Sequence, residues 1–164
     1  MIAAIRRRPL ENPISSWSNP DLMVIVGWRE WISLPELNIS RIKTKIDTGA
    51  RTSALHAFRL ECFEENNISK VRFFIHPYQR KSKPNIECIA NLKEMRWVMD
   101  SGGHREERPV IETIFSIGEY TWPIEITLTS RDDMRFRMLL GRMAMVKKML
   151  VNPTKSYLIG KKIS

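Results

Sequence analysis

Apolar and polar side chains alternate along much of this chain, a pattern that is typical of β-strands. The longest alternation covers residues 111–128, with apolar side chains at every second position on both sides of a Gly118-Glu119 turn. Such period-two alternation predicts a hairpin with one buried face. Pro123 falls on the polar side of the second arm, which predicts an edge strand or a bulge at that point.

Shorter apolar or alternating runs predict further strands on either side of this hairpin. They lie at residues 22–26, 41–46, 71–75, 86–92, 95–99, 138–140 and 156–159. Residues 54–64 fit a strand or a helix, and the alternation of Phe58 and Leu60 favours a strand. Apolar residues at helical spacing predict one helix over Arg142–Leu150. Many short strands with one short helix predict an all-β fold, a closed or partly closed antiparallel β-barrel.

Two early segments do not follow this pattern. Residues 1–20 contain three prolines and show no periodicity, as expected of a tail or linker. Trp28 and Trp31 flank a charged Arg29-Glu30 pair, which we expect in a turn. Residues 21–164 are enough for one domain with a substantial core, and we expect the functional residues there.

The composition narrows the class of protein. A hydrophobic content of 43% is ordinary for a soluble globular protein. No run of eighteen apolar residues is present, so the sequence predicts no transmembrane helix and no membrane partner. Cys62 and Cys88 are too few for a disulfide framework. We therefore expect a reduced, cytoplasmic protein, with a single bridge between the two cysteines as the alternative.

The net charge of +9 at pH 7 is the second bulk signal. One explanation is an acidic partner, for which nucleic acid, an anionic membrane and a glutamate-rich peptide are the candidates, and of these we do not expect the membrane. Ordinary solubilising charge explains it equally well. Nucleic acid ranks last among the partners considered, because the chain lacks interleaved basic and aromatic repeats.

Candidate chemistry lies in two short motifs that are far apart in the chain. Asp47-Thr48-Gly49-Ala50 follows an alternating strand, so we expect its carboxylate at the tip of a tight loop. Leu139-Leu140-Gly141-Arg142 opens the predicted helix. By itself, Asp-Thr-Gly is more often a surface turn closed by a side-chain hydrogen bond. The preceding strand and the second motif together favour an active-site loop.

These motifs resemble those of retropepsin-type aspartic peptidases. The resemblance implies that Asp47 activates water and that Thr48 and Gly49 brace its loop. It also implies that Leu140 and Gly141 support the loop from behind and that Arg142 belongs to the structural support of the site. Peptide hydrolysis by this route needs two carboxyl groups that share one proton. Because this chain has one Asp-Thr-Gly, the second carboxyl must come from an identical subunit, and we expect a homodimer.

A longer resemblance covers residues 22–160 and points to a bacterial family of retropepsin-like peptidases. The family is often labelled an ATP-dependent zinc protease. Its members occur beside or fused to RimK-type ligases, which add glutamates to a ribosomal protein. The resemblance thus implies a link to such a ligase and to glutamate-rich or glutamylated tails. The segments that carry it are Gly27–Trp31, Lys45–Leu55, Ser101–Gly103, Arg108–Ile111, Glu125–Leu128, Arg131–Arg142, Asn152-Pro153 and Ser156–Leu158.

The zinc and ATP labels find no support in the residues themselves. The chain has no His-Glu-x-x-His motif and no Cys-x-x-Cys motif. Gly102-Gly103 lacks the Lys and Ser/Thr that follow in a phosphate-binding loop. We therefore expect neither a metal nor a cofactor.

Several arginines are candidates for substrate binding beside Ala50. Arg51 follows the first motif where viral retropepsins carry an acidic residue. With Arg108 and Arg131 it would form a basic rim that grips acidic substrate side chains. The alternative for each of these arginines, and the expectation for Arg142, is a structural ion pair.

A flap over the substrate is the remaining expectation. Met99–Arg108, with Gly102-Gly103 at its turn, is hydrophilic and lies between two predicted strands. An ordinary hairpin loop is the alternative. The sequence as a whole favours a homodimeric aspartic endopeptidase. The alternative function is a non-catalytic binding module on the same fold, which docks an acidic protein or peptide.

Overall fold

The structure, a computed structural model, describes residues 23–79, 81–100, 102–131 and 134–160. The tail predicted at 1–20 and Ser101 of the predicted flap lie outside them. Nearly all regular structure among the described residues is β-strand, which confirms the predicted fold class. The strands are β1 (Val24–Gly27), β2 (Arg29–Leu34), β3 (Ile39–Ile46), β4 (Ser53–His56), β5 (Phe58–Glu65), β6 (Ile68–Ile75), β7 (Ile86–Met99), β8 (Arg105–Ile117), β9 (Tyr120–Thr129), β10 (Met138–Leu140) and β11 (Met149–Asn152).

Helical structure is limited to two short elements within the described residues. They are a 3₁₀ turn at Pro35–Leu37 and one α-helix, α1, at Arg142–Met145. Neither has the length or apolar content that crossing a membrane requires.

Six strands close into a ring in the order β2-β3-β10-β4-β9-β8, because β8 pairs back with β2 at Ser33 and Ser116. The β3–β10 and β4–β9 pairings are parallel, and the other pairings of the ring are antiparallel. β7, β6 and β5 extend the sheet from β8, while β1 and β11 form a separate parallel pair. The ring places β3, which precedes the first motif, beside β10, which carries part of the second.

Alternate side chains of β8 and β9 form much of the core. Ile111, Phe115 and Ile126 are fully buried. The two strands pair along their length around the Gly118-Glu119 turn, so the predicted hairpin is confirmed. Pro123 pairs with Ile114 of β8 on one side only, because β4 pairs with β9 from Ile126 onwards. This is the edge position that was predicted for Pro123.

The predicted helix over Arg142–Leu150 is wrong in its extent. α1 ends at Met145, Lys147 has a left-handed φ of 59°, and Met149–Asn152 pairs with β1 as β11. Leu150, which the helical spacing assigned to a packed face, is 53% exposed. Strand pairing supplies backbone hydrogen bonds to this segment, and this tertiary contact overrides a weak helical pattern.

The turn predicted around Glu30 and the strand predicted at 156–159 are also wrong. Glu30 lies on β2 and is fully buried. Its carboxylate accepts the N–H groups of Gly27 at 2.7 Å, Leu158 at 2.8 Å and Gly160 at 3.0 Å. This carboxylate therefore satisfies most of the amides of the C-terminal segment, while the Tyr157 N–H donates to the Arg29 carbonyl on β2 at 2.9 Å.

Both cysteines are free in the structure. Cys62 is exposed on β5, whereas Cys88 is buried on β7. Burial raises the pKa of the Cys88 thiol to about 12, which keeps it protonated and unreactive.

Candidate active site

Asp47 is the first residue after β3, at the tip of the loop that the first motif predicts. Its N–H donates to the Leu140 carbonyl at 2.9 Å, and its carbonyl accepts the Ala50 N–H at 3.2 Å. Its carboxylate accepts the Gly49 N–H at 3.1 Å and lies 3.4 Å from Lys45 Nζ. The side chain remains 23% exposed. The loop thus fixes the carboxylate and leaves it accessible to water or substrate.

The second motif lies directly behind this loop. Leu140 on β10 is in register with Ile46 on β3. Gly141 donates its N–H to Ser53 Oγ at 3.1 Å, and a Cβ at this position would lie 2.4 Å from the Thr52 carbonyl carbon. Only glycine permits this approach of two backbones. The two motifs therefore meet as the resemblance implies.

Arg142 clamps the start of α1 onto the Asp47 loop. Its Nη1 donates to the Thr48 carbonyl at 2.9 Å and to the Gly49 carbonyl at 3.1 Å. Its backbone N–H donates to the Ala50 carbonyl at 2.8 Å. The structural ion pair expected for Arg142 is thus replaced by hydrogen bonds to carbonyl oxygens. Two of those oxygens belong to the predicted catalytic loop, which this arginine holds in place.

A groove of about 890 Å³ opens beside Asp47. The predicted site residues that line it are Asp47, Gly49, Ala50, Arg51, Arg108 and Arg131. Those outside its lining are Thr48, Gly102, Gly103, Leu140, Gly141 and Arg142. The predicted loop and rim therefore converge on one groove, whereas the two glycines predicted to contact substrate lie apart from it.

The β7–β8 hairpin forms one side of this groove. β7 is one continuous strand, instead of the two predicted at 86–92 and 95–99, and it pairs with β8 as far as Met99 and Arg105. Residues 97–100 of the hairpin line the groove. Gly103 at the turn has a φ of 83°, which favours glycine. The placement of this hairpin suits a flap over a substrate.

Asp100 holds the turn of the hairpin. Its Oδ1 accepts the N–H groups of Gly102 at 2.8 Å and His104 at 3.0 Å, and its Oδ2 lies 3.6 Å from Arg131 Nη1. The His104 N–H above all, with the Gly102 N–H and the charges of His104 and Arg131, holds the pKa of Asp100 below its ordinary value. A charged carboxylate thus links the hairpin to the predicted rim.

The three arginines of the predicted rim differ in their partners. Arg108 has an 8% exposed side chain and donates from Nε to Glu106 Oε2 at 2.7 Å. Arg131 contacts Asp100 as described above. Arg51 is exposed. The ion-pair alternative therefore applies to Arg108 and Arg131, and Arg51 is the most open of the three.

A family model described as RimB-like, retropepsin-like aspartic endopeptidase RimB, matches residues 25–162. This chain belongs to the RimB-like family. A relative from Shewanella pealeana named probable alpha-L-glutamate ligase is 39% identical over 142 residues, and one of the same name from Parasynechococcus marenigrum is 44% identical over 137. These matches cover 87% and 84% of this chain but 31% and 29% of the relatives. The chain therefore spans less than a third of their length.

A crystal structure of a protein of unknown function from Legionella pneumophila shares the fold. Its TM-score is 0.69 and its sequence is 24% identical, over 82% of this chain and 96% of that chain. At this identity the likeness concerns the fold alone, and it agrees with the nearly all-β architecture described above.

Three exposed apolar side chains line the groove beside Asp47, and the sequence did not predict that they lie together. Trp97, Met99 and Met143 line the groove and are 60%, 64% and 63% exposed. The sequence predicted Met143 in the helix, Trp97 in a strand and Met99 at the start of the flap. No signal in the sequence joins them, because only the fold brings α1 and β7 to the same groove.

Glu125 also lines this groove, and the sequence did not predict it there. Lys93 Nζ lies 2.7 Å and Arg96 Nη2 2.9 Å from its carboxylate oxygens. The hydrogen bond from Lys93, followed by that from Arg96, holds the pKa of Glu125 below its ordinary value. The alternation along β9 puts this residue on the polar face, but its partners come from β7.

The histidines do not assemble into a metal centre among the described residues. His56 ends β4, His76 follows β6, and His104 lies at the turn before β8. Within the ranges that the structure describes, no three His, Cys, Asp or Glu side chains form a group that could hold a metal ion. The zinc label of the family thus has no ligand set in these ranges.

Proposed function

We propose that this chain is an aspartic endopeptidase that hydrolyses peptide bonds with a water held between the Asp47 carboxylates of two subunits. The position of Asp47 carries the proposal. Its carboxylate is held by the Gly49 N–H and Lys45, yet it is 23% exposed at a groove of about 890 Å³. Membership of the RimB-like family supports the same chemistry.

The reaction follows from two carboxyl groups that share one proton. The ionised carboxylate takes a proton from water as the water oxygen attacks the carbonyl carbon, and the protonated carboxyl donates to the carbonyl oxygen. A proton then passes to the amide nitrogen as the C–N bond breaks, releasing an acid and an amine. Two carboxyls this close cannot both ionise, which keeps one of them protonated.

The apolar side chains at the groove support a second copy as the source of the second carboxyl. Trp97, Met99 and Met143 are each at least 60% exposed. Clustered apolar surface of this kind usually marks a site of interaction. Because each chain has one Asp-Thr-Gly, a twofold axis beside the groove supplies the second Asp47. The proposal therefore requires a homodimer.

Glutamate-rich or glutamylated protein tails are the proposed substrates. Arg51, Arg108 and Arg131 line the groove, and guanidinium groups bind carboxylates through paired hydrogen bonds. The name of the relatives, probable alpha-L-glutamate ligase, supports a functional link to a RimK-type ligase. We place this reaction in the cytoplasm.

Asp47→Asn tests the proposal against a matched carboxylate-to-amide change, Glu112→Gln. Asp47→Asn keeps the shape of the side chain but removes the proton acceptor, so we expect cleavage of a glutamate-tailed peptide to fall by about 10²- to 10⁴-fold. Glu112 is 55% exposed and lies outside the groove lining, so its variant should keep the wild-type rate. Mass spectrometry of the peptide products measures both rates.

Two outcomes contradict the proposal. Cleavage by Asp47→Asn at the wild-type rate would exclude Asp47 as the catalytic acid–base group. Binding of the peptide by the wild-type protein without any cleavage, in the dimer and across pH, would favour the binding module instead.

A further inference from the structure

The outer face of β2 and β3 presents four cations, three along β3 and one on β2. Arg29 pairs with Lys45 across the two strands, and Trp31 pairs with Lys43. Arg41, Lys43 and Lys45 alternate with buried residues along β3, so they share this outward face. We call Arg29, Arg41, Lys43 and Lys45 the basic stripe.

Aromatic rings hold most of the basic stripe in place. The guanidinium carbon of Arg41 lies 3.9 Å and Lys43 Nζ 5.1 Å from the ring centre of Trp31. The guanidinium of Arg29 lies 5.1 Å from the ring of Tyr157, which stacks on Trp31 with centroids 6.2 Å apart. Cations fixed on rings lose less side-chain entropy when a ligand binds. The rings therefore restrict three of the four cations before any ligand binds.

The basic stripe has charge to offer a ligand. Among the described residues, neither Arg29 nor Lys43 takes part in an ion pair with a carboxylate. Lys45 contacts Asp47 at 3.4 Å, and Asp47 lines the groove. The stripe therefore ends at the candidate active site, and its cations continue away from the groove along β3.

We propose that the basic stripe binds an acidic segment of an extended polypeptide whose neighbouring residues occupy the groove. Side chains on one face of an extended strand repeat about every 6.6 Å. Arg41, Lys43 and Lys45 have this spacing, and so do the carboxylates of alternate residues in an extended acidic peptide. The role of the stripe in feeding the groove rests on the proposed peptidase function, but its binding of an acidic peptide does not.

The rings favour an acidic peptide over single-stranded RNA as the ligand. Proteins that bind single strands stack bases on open aromatic faces. Here Trp31 carries Arg41 and Lys43 and stacks with Tyr157. The ring of Trp31 is thus covered by cations and is not open to a stacking base, and carboxylates can pair with cations without base stacking.

The test compares Arg41→Gln/Lys43→Gln with Lys81→Gln/Lys83→Gln, which removes the same charge from the exposed β6–β7 connection. Both are made in full-length Asp47→Asn protein, so that cleavage does not complicate binding. The probes are a fluorescent oligoglutamate peptide and a fluorescent oligouridylate RNA. We expect the stripe variant to bind oligoglutamate about tenfold more weakly and the control variant to bind within about twofold, since each exposed charge contributes modestly.

Equal affinity of the two variants for oligoglutamate would overturn the proposal. So would tighter binding of oligouridylate that the stripe variant alone loses, because the stripe would then be a nucleic-acid site. Lys43→Gln alone serves if the double variant does not fold, with about a threefold loss expected. Failure of peptidase function is seen separately, as absence of cleavage by the wild-type protein, and leaves these binding results unchanged.

Discussion

Asp47 and Glu30 are both held by backbone N–H groups, but their exposure separates their roles. Asp47 accepts one amide and is 23% exposed at the groove. Glu30 is fully buried and accepts amides from both ends of the domain, which include those of Gly27 and Gly160. This difference supports the chemistry proposed for Asp47 and a role for Glu30 in assembling the fold.

Glu30→Ala tests the structural role of the buried carboxylate. It leaves the amides of Gly27, Leu158 and Gly160 without their acceptor, and each unsatisfied buried amide is costly. We expect the free energy of unfolding to fall by about 3 kcal/mol or more, measured by urea denaturation. Glu112→Ala, which removes an exposed carboxylate, should cost less than about 1 kcal/mol. Similar losses for both variants would contradict this role.

The sequence pointed to Asp47 but not to Glu30. The first motif made Asp47 recognisable, since its neighbours Thr48 and Gly49 occur in a known order. Glu30 carries no such signal: a charged residue next to Arg29 suggests a turn, and two of its partners, Leu158 and Gly160, lie more than a hundred residues away. Contacts of that sequence separation are decided by the fold and are invisible to local pattern.

At the scale of elements, the site depends on how closely α1 and the Asp47 loop approach. Arg142 and Met143 at the start of α1 donate their N–H groups to the carbonyls of Ala50 and Arg51, at 2.8 and 3.1 Å. Gly141 makes this approach possible. The loop, β10 and the helix start therefore behave as one unit.

Gly141→Ala should disrupt that unit. Its Cβ would lie 2.4 Å from the Thr52 carbonyl carbon, so the loop must shift, and we expect a loss of about 2 kcal/mol in unfolding free energy together with reduced peptidase activity. Gly103→Ala is a comparison for stability, because its Cβ meets nothing within 4 Å and its cost is about 1 kcal/mol from φ alone. A smaller loss of unfolding free energy for Gly141→Ala than for Gly103→Ala would contradict this role of Gly141.

The hairpin turn should respond to acid through Asp100. Its pKa in the folded protein lies below the ordinary value of 3.8, so its hydrogen bonds stabilise the turn fully above pH 3.8 and are lost as the pH falls through the lower, folded value. The amide chemical shifts of Gly102 and His104, followed by NMR, should change at pH values below 3.8. Asp100→Asn should remove the transition, and a transition above pH 3.8 would argue against this assignment.

The elements could be predicted where a pattern was long and local. The hairpin over 111–128 follows from uninterrupted alternation, and it is confirmed. The segment after Met145 could not be predicted in the same way, because its pairing with Val24–Gly27 is a parallel contact between the two ends of the domain. Helical spacing over a few residues is too weak to compete with such pairing.

At the scale of the whole molecule, the net charge of +9 becomes interpretable once the sheet is formed. The sequence shows no interleaved basic and aromatic repeat, but β2 and β3 interleave them across the sheet. Trp31 of one strand lies opposite Lys43 of the other. The structure thus turns a diffuse charge into a directed surface that leads towards Asp47.

At this scale the proposed activity depends on dimerisation, because each chain has one Asp-Thr-Gly. Apolar side chains exposed at the groove, those of Trp97, Met99 and Met143, support a covered face. Activity should therefore depend on the number of chain pairs in which both members contribute a functional Asp47, and not on the number of functional chains.

Subunit mixing distinguishes a site shared by two chains from a site within each chain. Wild-type and Asp47→Asn chains are unfolded together, refolded at fixed total concentration, and assayed for cleavage of a glutamate-tailed peptide. With equal amounts of each chain, we expect activity to fall to about one quarter of that of wild-type protein at the same total concentration. Random pairing makes one dimer in about four fully wild-type, and a twofold-symmetric site needs two functional carboxyls. A fall to about one half, in proportion to the wild-type chains, would contradict it.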